Sequence, residues 1–268
     1  MKTILNQPLA NTFGWLGVNG TEVDVPEPAE TLSFVLSEGE ERTVVLDSAP
    51  PFQPVTASLA AGAVLKLVQL RRGGTGTAVS NLRVRCADGA RFEWYRVVLG
   101  GAAAYDNCSV ELAGDGSSFL AEIGFRLGGD ERLDLNCEAI HTGRKTTSDI
   151  HAAGVLSDRA RKLLRGTIDL RQGCAGAAGN EFEDVLLLDE TVRNQSVPVI
   201  LCAEEDVSGN HGATIGRLDE GLVYYLESRG LPRDAVYDRL AKAKLDTVLR
   251  RLPDERLRRE LLGEEEEA

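Results

Sequence analysis

The sequence lacks the local motifs by which cysteine-rich proteins bind metals. It contains five cysteines among 268 residues, and none of them belongs to a C-x-x-C pair. Because zinc fingers and self-contained cysteine-rich cluster sites need ligands at such close spacing, the sequence encodes neither locally. The odd count favours free thiols, buried in a reducing compartment. The five are Cys86, Cys108, Cys137, Cys174 and Cys202.

The sequence also lacks an excess of basic residues and any long hydrophobic run. Lys and Arg number 30 against 42 Asp and Glu, so the formal net charge is -12 and a nucleic-acid partner is not expected. The longest apolar stretch, residues 197–203, is far shorter than the ~20 residues of a membrane helix. No secretory signal is recognisable at the start. We therefore expect a cytoplasmic protein without a membrane partner.

Short alternating strands separated by glycine turns make up most of the chain. In residues 119–127 every odd position is apolar, and similar runs recur up to residue 202. Glycine pairs such as Gly100-Gly101 and Gly128-Gly129 lie between the runs, where tight turns need positive φ angles. The pattern predicts a mainly β body. A sandwich, a barrel and a solenoid all remain open, because no repeat of fixed period is visible.

Composition divides the chain into four segments. Residues 1–30 are predicted to be an irregular lead-in, residues 31–216 the β body, residues 217–262 a helical module and residues 263–268 a disordered acidic tail. Within the helical module, Asp219 and Pro232 mark the starts of two helices, and a third begins after Pro253. A further short helix, capped by Ser157, is predicted over residues 157–164.

Three familiar functional patterns are incomplete in this sequence. Residues 143–146 read Gly-Arg-Lys-Thr like the end of a phosphate-binding loop, but Glu138 stands where that loop needs its first glycine. His141, His151 and His211 are too far apart for a metal site set by local spacing. Acidic residues are plentiful, yet they form no motif diagnostic of a glycoside-cleaving enzyme. None of the three patterns therefore supports an enzymatic site.

The most informative segment is residues 206–216, which read DVSGNHGATIG and are followed by YYLESRGL at residues 224–231. Taken alone, a histidine such as His211 at the boundary between strands and helices is more often a capping or core residue. The whole string, however, resembles the SufB/SufD family, the scaffold subunits of the Suf iron–sulfur cluster assembly complex. His141, Thr-Thr-Ser at 146–148, Gly-Val-Leu at 154–156 and Leu-Leu-Leu at 186–188 extend the resemblance to about residues 138–250.

The resemblance implies a right-handed parallel β-helix with a small C-terminal α-helical module and a non-enzymatic scaffold role. SufB-type members carry glutamate on both sides of the histidine, whereas Asn210 and Gly212 flank His211 here, so the chain is SufD-like. Glu183 and Asp184 stand where a SufB-type cysteine would align. The implied partners are a SufC-type ATPase and a SufB-type scaffold subunit. We expect no cofactor bound stably by this chain alone, but a transient iron–sulfur cluster at a subunit interface.

The resemblance also assigns roles to individual residues. His211 is the cluster-assembly candidate and a candidate metal ligand. Strands within residues 183–203 are expected to pair with the SufB-type partner. The ATPase is expected to dock on the C-terminal helices, at Tyr224, Tyr225, Arg229, Tyr237, Leu240 and Leu245.

Two other interpretations remain open at this point. A self-sufficient homodimer of the same family would need a thiol near His211, for which Cys202 and Cys174 are the candidates. A β-helix enzyme acting on polysaccharide belongs to a different class. The absence of a recognisable export signal and the Ser-Arg-Gly helix both count against it.

Overall fold

The computed structural model describes residues 2–12, 14–47 and 49–264, which form two parallel sheets of seven strands each, a separate strand pair and three C-terminal α-helices. The antiparallel pair consists of β1 (Lys2–Leu5) and β2 (Thr21–Asp24). Sheet I contains β3 (Leu32–Leu36), β5 (Phe52–Leu59), β7 (Thr77–Cys86), β9 (Ala103–Leu112), β11 (Arg132–His141), β13 (Arg161–Leu170) and β15 (Arg193–Cys202). Sheet II contains β4 (Glu41–Asp47), β6 (Val64–Arg72), β8 (Arg91–Leu99), β10 (Ser118–Leu127), β12 (Thr147–Leu156), β14 (Ala178–Leu187) and β16 (Ser208–Arg217). The helices are α1 (Glu220–Ser228), α2 (Arg233–Leu249) and α3 (Glu255–Leu262).

The chain alternates between the two sheets, so that each coil contributes one strand to sheet I and the next strand to sheet II. Every strand of the two large sheets pairs in parallel with strands two places away in the chain, as β10 does with β8 and β12. The result is a parallel β-solenoid. It confirms the parallel β-helix with a C-terminal helical module that the family resemblance implied.

The core lies inside the solenoid, where alternate side chains of both sheets meet. The odd positions of β10 that the sequence marked as apolar, from Phe119 to Leu127, are all buried there. Equivalent positions of successive coils lie above one another, and the rings of Phe92 and Phe119 stack with centroids 5.7 Å apart. This stacking of like on like follows from the period of two along each strand and the parallel register between strands.

The coils differ in length, which explains why no fixed-period repeat is visible in the sequence. Glu41 of β4 pairs with Val64 of β6, whereas Thr147 of β12 pairs with Ala178 of β14, several residues farther along the chain. The extra residues lie in the corners between strands. A solenoid tolerates such variation because only the paired strands must stay in register.

Helices α2 and α3 cover the outer face of sheet II. One buried cluster joins these helices to the sheet: Leu245, Leu249, Leu257 and Leu262 from the helices, and Val68, Tyr95 and Val97 from the sheet.

The starts of α1 and α3 are fixed by aspartate side chains. Those of Asp219 and Asp254 accept hydrogen bonds from the backbone N–H groups of Leu222 and Leu257. The three helices lie where the sequence predicted them. No helix among the described residues has the length and apolar character needed to cross a membrane.

The N-terminal segment is attached to the outer face of sheet I through Asp134, rather than being wholly irregular as predicted. The Asn6 side-chain amide donates to the Asp134 carboxylate at 2.8 Å, and the Thr21 hydroxyl donates to the same carboxylate at 2.6 Å. The buried Arg165 guanidinium pairs with Asp134 and also donates to the carbonyl oxygen of Val18. This network satisfies a buried carboxylate completely, as burial of a charge requires.

The helix predicted over residues 157–164 is wrong. Residues 157–160 form a turn in which Asp158 has a φ of 56°, and β13 begins at Arg161. Because all of β13 after Arg161 is buried on both faces, its sequence does not alternate, and a short continuous apolar run fits a helix and a buried strand equally well. The predicted disorder of the acidic tail concerns residues that, after Glu264, lie outside the described range.

Candidate functional site

The last coil of the solenoid has two strands with one free edge each. Strand β15 pairs with β13 alone and β16 with β14 alone, among the described residues. Every residue of β16 is exposed except Gly212, which is half-buried. The backbone N–H and C=O groups on the free side of such a strand are available for pairing with another chain.

The free edge of β16 differs from the free edge at the other end of the solenoid. Strand β4, which forms that other end of sheet II, begins with Glu41 and Arg42 and ends with Asp47. Strand β16 contains no Asp, Glu, Lys or Arg from Ser208 to Gly216. Charged side chains are a common means of preventing edge-to-edge association, so the C-terminal edge is the one suited to a partner strand.

The strands with free edges lie slightly later in the chain than the predicted partner-binding strands. The prediction covered residues 183–203, but residues 183–187 lie in β14, which is enclosed between β12 and β16 and has no free edge. That part of the prediction is wrong, since one further coil follows in the chain. The free edges are those of β15 and β16.

His211 is the fourth residue of β16 and belongs to the inner face of sheet II. It pairs in register with Glu181 of β14, which is buried inside the solenoid. Because neighbouring parallel strands in register present the same face, His211 lies over the mouth of the lumen. Its side chain is exposed and forms no hydrogen bond or ion pair with any described residue. The imidazole is therefore free to bind a ligand at this edge.

Glu181, directly beneath His211, is a buried carboxyl group that no motif in the sequence indicated. Its side chain is 6% exposed and faces Gly166 of β13, where a Cβ atom would overlap the carboxyl group. Burial, and in second place the nearby charge of Glu183, raise the pKa of Glu181 to about 7. The alternation of Gly179, Glu181, Glu183 and Val185 could have indicated that both glutamates point inward.

Glu183 and Lys162 form a buried ion pair next to Glu181. The Lys162 ammonium donates to one carboxylate oxygen of Glu183, and the Ser196 hydroxyl donates to the other. The ammonium also lies 5.9 Å from the centroid of the Phe125 ring. Burial lowers the pKa of Lys162, while the Glu183 carboxylate opposes that effect. The charge of Glu183 is thus compensated within the lumen.

The two candidate thiols are not brought to His211. Cys202 is exposed at the end of β15, where its Sγ atom lies 3.2 Å from the carbonyl oxygen of Glu204. Ile200 of β15 lies opposite Gly209 of β16, because it would contact a Cβ atom on that glycine. Cys202 lies two residues from this level in one direction and His211 two residues in the other. At about 3.3 Å per residue, Cys202 and His211 are therefore roughly 13 Å apart along the strands. Cys174 is buried in a corner with Ile168 and Leu170, and burial raises its pKa.

The other histidines have structural surroundings. His141 is fully buried, and its two ring nitrogens lie 2.8 Å from the Thr146 hydroxyl and 2.9 Å from the Ser148 hydroxyl. These three residues, which are part of the resemblance to the family, therefore stabilise a corner of the solenoid through hydrogen bonds. Among the described residues, no group of three or more His, Cys, Asp and Glu side chains is arranged to hold a metal ion.

Helix α1 exposes an aromatic surface, which we call the α1 face: Leu222, Tyr224, Tyr225 and Arg229. Tyr224 is 74% exposed and Tyr225 is 51% exposed. The Arg229 guanidinium lies 5.1 Å from the centroid of the Tyr225 ring. Large exposed aromatic side chains beside an arginine are typical of protein interfaces.

Helix α2 exposes fewer of its predicted docking residues than α1 does. Leu245 is buried against sheet II and contacts the position of Gly124, so it packs the helix on the solenoid and is not available for docking. Leu240 is half-buried in a cluster with Val155 and Leu186. Tyr237 is half-buried, with the Arg233 guanidinium 5.6 Å from its ring centroid. The apolar stripe of α2 thus mainly faces the sheet.

Comparison with known proteins agrees with the fold and the motif. Residues 32–243 match the family described as "SUF system FeS cluster assembly, SufBD core domain". The chain is 27% identical to the iron–sulfur cluster assembly protein SufD of Bacillus subtilis over 207 residues, which are 77% of this chain and 46% of the relative. It is 26% identical to SufD of Escherichia coli over 256 residues, 92% of this chain and 60% of the relative. It is 21% identical to SufB of Bacillus subtilis over 173 residues, 65% of this chain and 37% of the relative.

The chain thus spans about half the length of the SufD relatives that it matches. The family match nevertheless covers most of the solenoid together with α1 and the first half of α2. It includes the free edges of β15 and β16 and the segment that contains His211. The chain belongs to the SufBD core family of the SUF iron–sulfur cluster assembly system.

Proposed function

We propose that this protein is a SufD-like, non-catalytic scaffold subunit for iron–sulfur cluster assembly in the cytoplasm. The observation that carries the proposal is the uncharged free edge of β16, which presents the unpartnered imidazole of His211. An edge open on one side and a ligand-type side chain at the same place suit a site that is completed by a second subunit.

The second subunit in this proposal is a SufB-type chain that pairs its own edge with β15 and β16. Both strands end their sheets, so one partner can extend both sheets at once. The iron–sulfur cluster is cargo at this interface, held transiently. No stable cluster is assigned to this chain alone, because its exposed thiol, Cys202, is far from His211.

The third component is a SufC-type ATPase, for which we assign the α1 face as the docking site. Tyr224, Tyr225 and Arg229 are exposed there, while Leu245 and its neighbours on α2 are used to cover sheet II. Deleting the helical module would therefore uncover an apolar sheet surface. Substitutions confined to the α1 face are the cleaner test.

The homodimer is a second candidate, because the same uncharged edge of β16 could pair with its own copy. It has weaker support, since neither Cys202 nor Cys174 lies beside His211. A thiol supplied by a different subunit agrees better with this arrangement.

Co-expression with a SufB-type subunit and a SufC-type ATPase tests the proposal. Ala213→Lys places a charge on the free edge of β16 and is expected to abolish co-purification of the SufB-type subunit. Thr43→Lys, on the free edge of β4 at the other end, is the matched control and should leave the complex intact. A stable homodimer that excludes the SufB-type subunit would favour the second candidate.

The ATPase is tested in the same preparation. The double substitution Tyr224→Ala and Tyr225→Ala should remove the ATPase and keep the SufB-type subunit, whereas Arg239→Ala, on the exposed side of α2, should keep both. Retention of the ATPase by the double variant would show that it docks elsewhere.

A further inference from the structure

The solenoid interior contains a polar cavity near the end opposite to His211. Its volume is about 330 Å³, at the lower end of the range for small-molecule sites. The described residues that line it belong to β4–β9 and to the corners between these strands. The exposed residues Pro50 and Gly74 are among them, so the cavity is open to solvent. It is separate from the surfaces assigned to the two partner subunits.

Buried side chains of five strands form a polar layer along this cavity. Gln69 and Arg96 are in register on sheet II, and Gln53, Ser80 and Asp106 are in register on sheet I. All five line the cavity, and none is more than 8% exposed. The Arg96 guanidinium donates to both oxygens of the Asp106 carboxylate, at 2.7 and 3.1 Å. These two charges therefore compensate each other.

Arg71, which also lines the cavity, has no such compensation. Its guanidinium donates one hydrogen bond, from Nη2 to the carbonyl oxygen of Gly76 at 3.1 Å. Its Nε atom is enclosed and has no hydrogen-bond partner among the described residues. Burial lowers the pKa of Arg71, and the charge of Arg96 lowers it further, against smaller opposing effects of Asp106 and Glu131. A half-buried guanidinium with unused donors points to a missing acceptor.

The two carboxylates that act on Arg71 are engaged by other groups. Asp106 belongs to the ion pair described above, and Glu131 accepts hydrogen bonds from the backbone N–H groups of Gly101 and Gly128, at 2.7 and 2.9 Å. Within the described part of the chain, neither carboxylate is a hydrogen-bond or ion-pair partner of Arg71.

The corner is built around this arginine. A Cβ atom on Gly101 would lie 2.6 Å from the Nε atom of Arg71, and one on Gly74 would lie 3.3 Å from its Nη2 atom. Only the lack of side chains at these glycines leaves room for the guanidinium. Arg72, the next residue, pairs instead with one carboxylate of β4 and one of α3. The cavity therefore carries one uncompensated positive charge, that of Arg71.

Two polar groups of the buried layer have unused hydrogen-bonding capacity. Both hydrogen bonds of the Gln53 side chain are donated by its amide nitrogen, which leaves its amide oxygen as an acceptor. The Ser80 hydroxyl accepts from the Gln69 amide at 3.1 Å, which leaves its own proton to donate. A hydroxyl group on a ligand can donate to the first and accept from the second.

We propose that this cavity binds a small monocarboxylate that also carries a hydroxyl group, with Arg71 holding the carboxylate. The single charge of such a ligand matches the single uncompensated guanidinium, and a carboxylate can accept two parallel N–H groups of an arginine. A phosphate group would bring about two negative charges and leave one of them unmatched. The site goes beyond the proposed scaffold role, which uses the opposite end of the solenoid and the helices.

Lactate is the probe, and tryptophan fluorescence is the measurement. The chain has two tryptophans, and the indole N–H of Trp94 donates to the amide oxygen of Gln69 at 2.7 Å, so Trp94 lies behind the cavity wall. The titration uses the full chain with Trp15→Phe, at constant ionic strength. Lactamide has the same shape as lactate but no charge. Lactate should bind at least about tenfold more tightly, because lactamide lacks the charge-assisted hydrogen bonds.

Variants in the same background test the role of Arg71. Arg71→Gln should weaken lactate binding at least about tenfold, since it removes the charge and the paired donors. Arg83→Gln is the matched control, because it removes an equal charge from an exposed side chain of β7. It should bind lactate like the parent protein. Circular dichroism and urea unfolding show whether Arg71→Gln is folded, and the comparison of lactate with lactamide decides without that variant.

Four results would overturn the site. They are the absence of lactate binding, equal affinities for lactate and lactamide, unchanged lactate binding by folded Arg71→Gln, and tighter binding of inorganic phosphate than of lactate. Saturation-transfer NMR on the methyl protons of lactate measures binding independently of Trp94. Absence of binding therefore means that neither the fluorescence nor the NMR signal responds.

Discussion

Replacing His141 with glutamine is expected to reduce the acid sensitivity of the fold. His141 is fully buried and lies between the hydroxyl groups of Thr146 and Ser148. Burial lowers the pKa of His141 from 6.5 to about 4, against a smaller opposing effect of the Asp169 carboxylate. Glutamine can hydrogen-bond to both hydroxyl groups, but it carries no charge at any pH.

The sign follows from the protons bound in each state. Between the folded pKa of about 4 and the ordinary value of 6.5, the unfolded chain binds a proton at this histidine and the folded chain does not. The free energy of unfolding is therefore highest above pH 6.5 and falls as the pH drops toward about 4. At 1.36 kcal/mol for each pH unit, the full effect is about 3 kcal/mol.

The assay is urea unfolding of the unchanged protein and of His141→Gln at several pH values from about 7.5 down to about 4. The many carboxylates titrate alike in both proteins, so the difference between the two unfolding free energies isolates His141. That difference should move in favour of the glutamine variant by about 3 kcal/mol as the pH falls. A difference independent of pH would show that the buried imidazole takes up a proton as readily as in the unfolded chain, and would refute the reasoning.

Three further predictions concern the site, a buried ion pair and the solenoid interior. His211→Ala should lower the cluster yield in reconstitution with a SufB-type partner, yet change stability by less than about 1 kcal/mol, because the side chain is exposed; an unchanged yield would contradict its role. Asp106→Ala should cost about 3–5 kcal/mol in urea unfolding, since it leaves the buried Arg96 guanidinium, now 2.7 Å from that carboxylate, without its partner; a loss below about 1 kcal/mol would contradict this. Gly154→Ala should lower the melting temperature, because the new Cβ atom would overlap the carbonyl oxygen and the ring of Phe125. Gly216→Ala should not, because no atom lies near the position of its Cβ atom. Equal melting temperatures of the two variants would show that the interior relaxes around the added atom.

The fold could be predicted from the sequence only in part, and the reason lies in the corners. Alternation in β10 predicted a strand with one buried face, and Asp219 and Asp254 predicted helix starts. The solenoid itself came from the family resemblance, since coils of unequal length hide the repeat. The helix predicted at the start of β13 is wrong because this strand is buried on both faces, so its sequence does not alternate. Arg165 and Thr167 on its outer face are as buried as Leu164 and Ile168 on its inner face.

The candidate site was predictable in sequence but not in space. The sequence motif around His211 identified that residue, but its spatial neighbour Glu181 lies thirty positions earlier in the chain. The hydrogen bond between Asn210 and Asn180 supports the same register of the two strands. Only the register of β14 against β16 relates the two. Leu245 and Tyr225 were predicted alike as docking residues, yet sheet II buries the first and leaves the second exposed. Helical periodicity identifies an apolar stripe, but not which surface it meets.

The side chains inside the solenoid change from apolar to ionisable at the coil of β13 and β14, one coil before the last. Glu181 and Glu183 of β14 are in register with Ile150 and Ala152 of β12, and Lys162 of β13 is in register with Leu133 of β11. An apolar stack thus becomes an ionisable layer within one coil. Well-packed apolar residues at such positions are often as stable as buried ion pairs or more so, so stability alone does not account for the change. Ionisable groups are less costly at the end of a lumen, where water reaches them, than among the enclosed coils. The ionisable layer lies directly beneath His211 and the uncharged edge of β16, where the proposed function places the partner subunit.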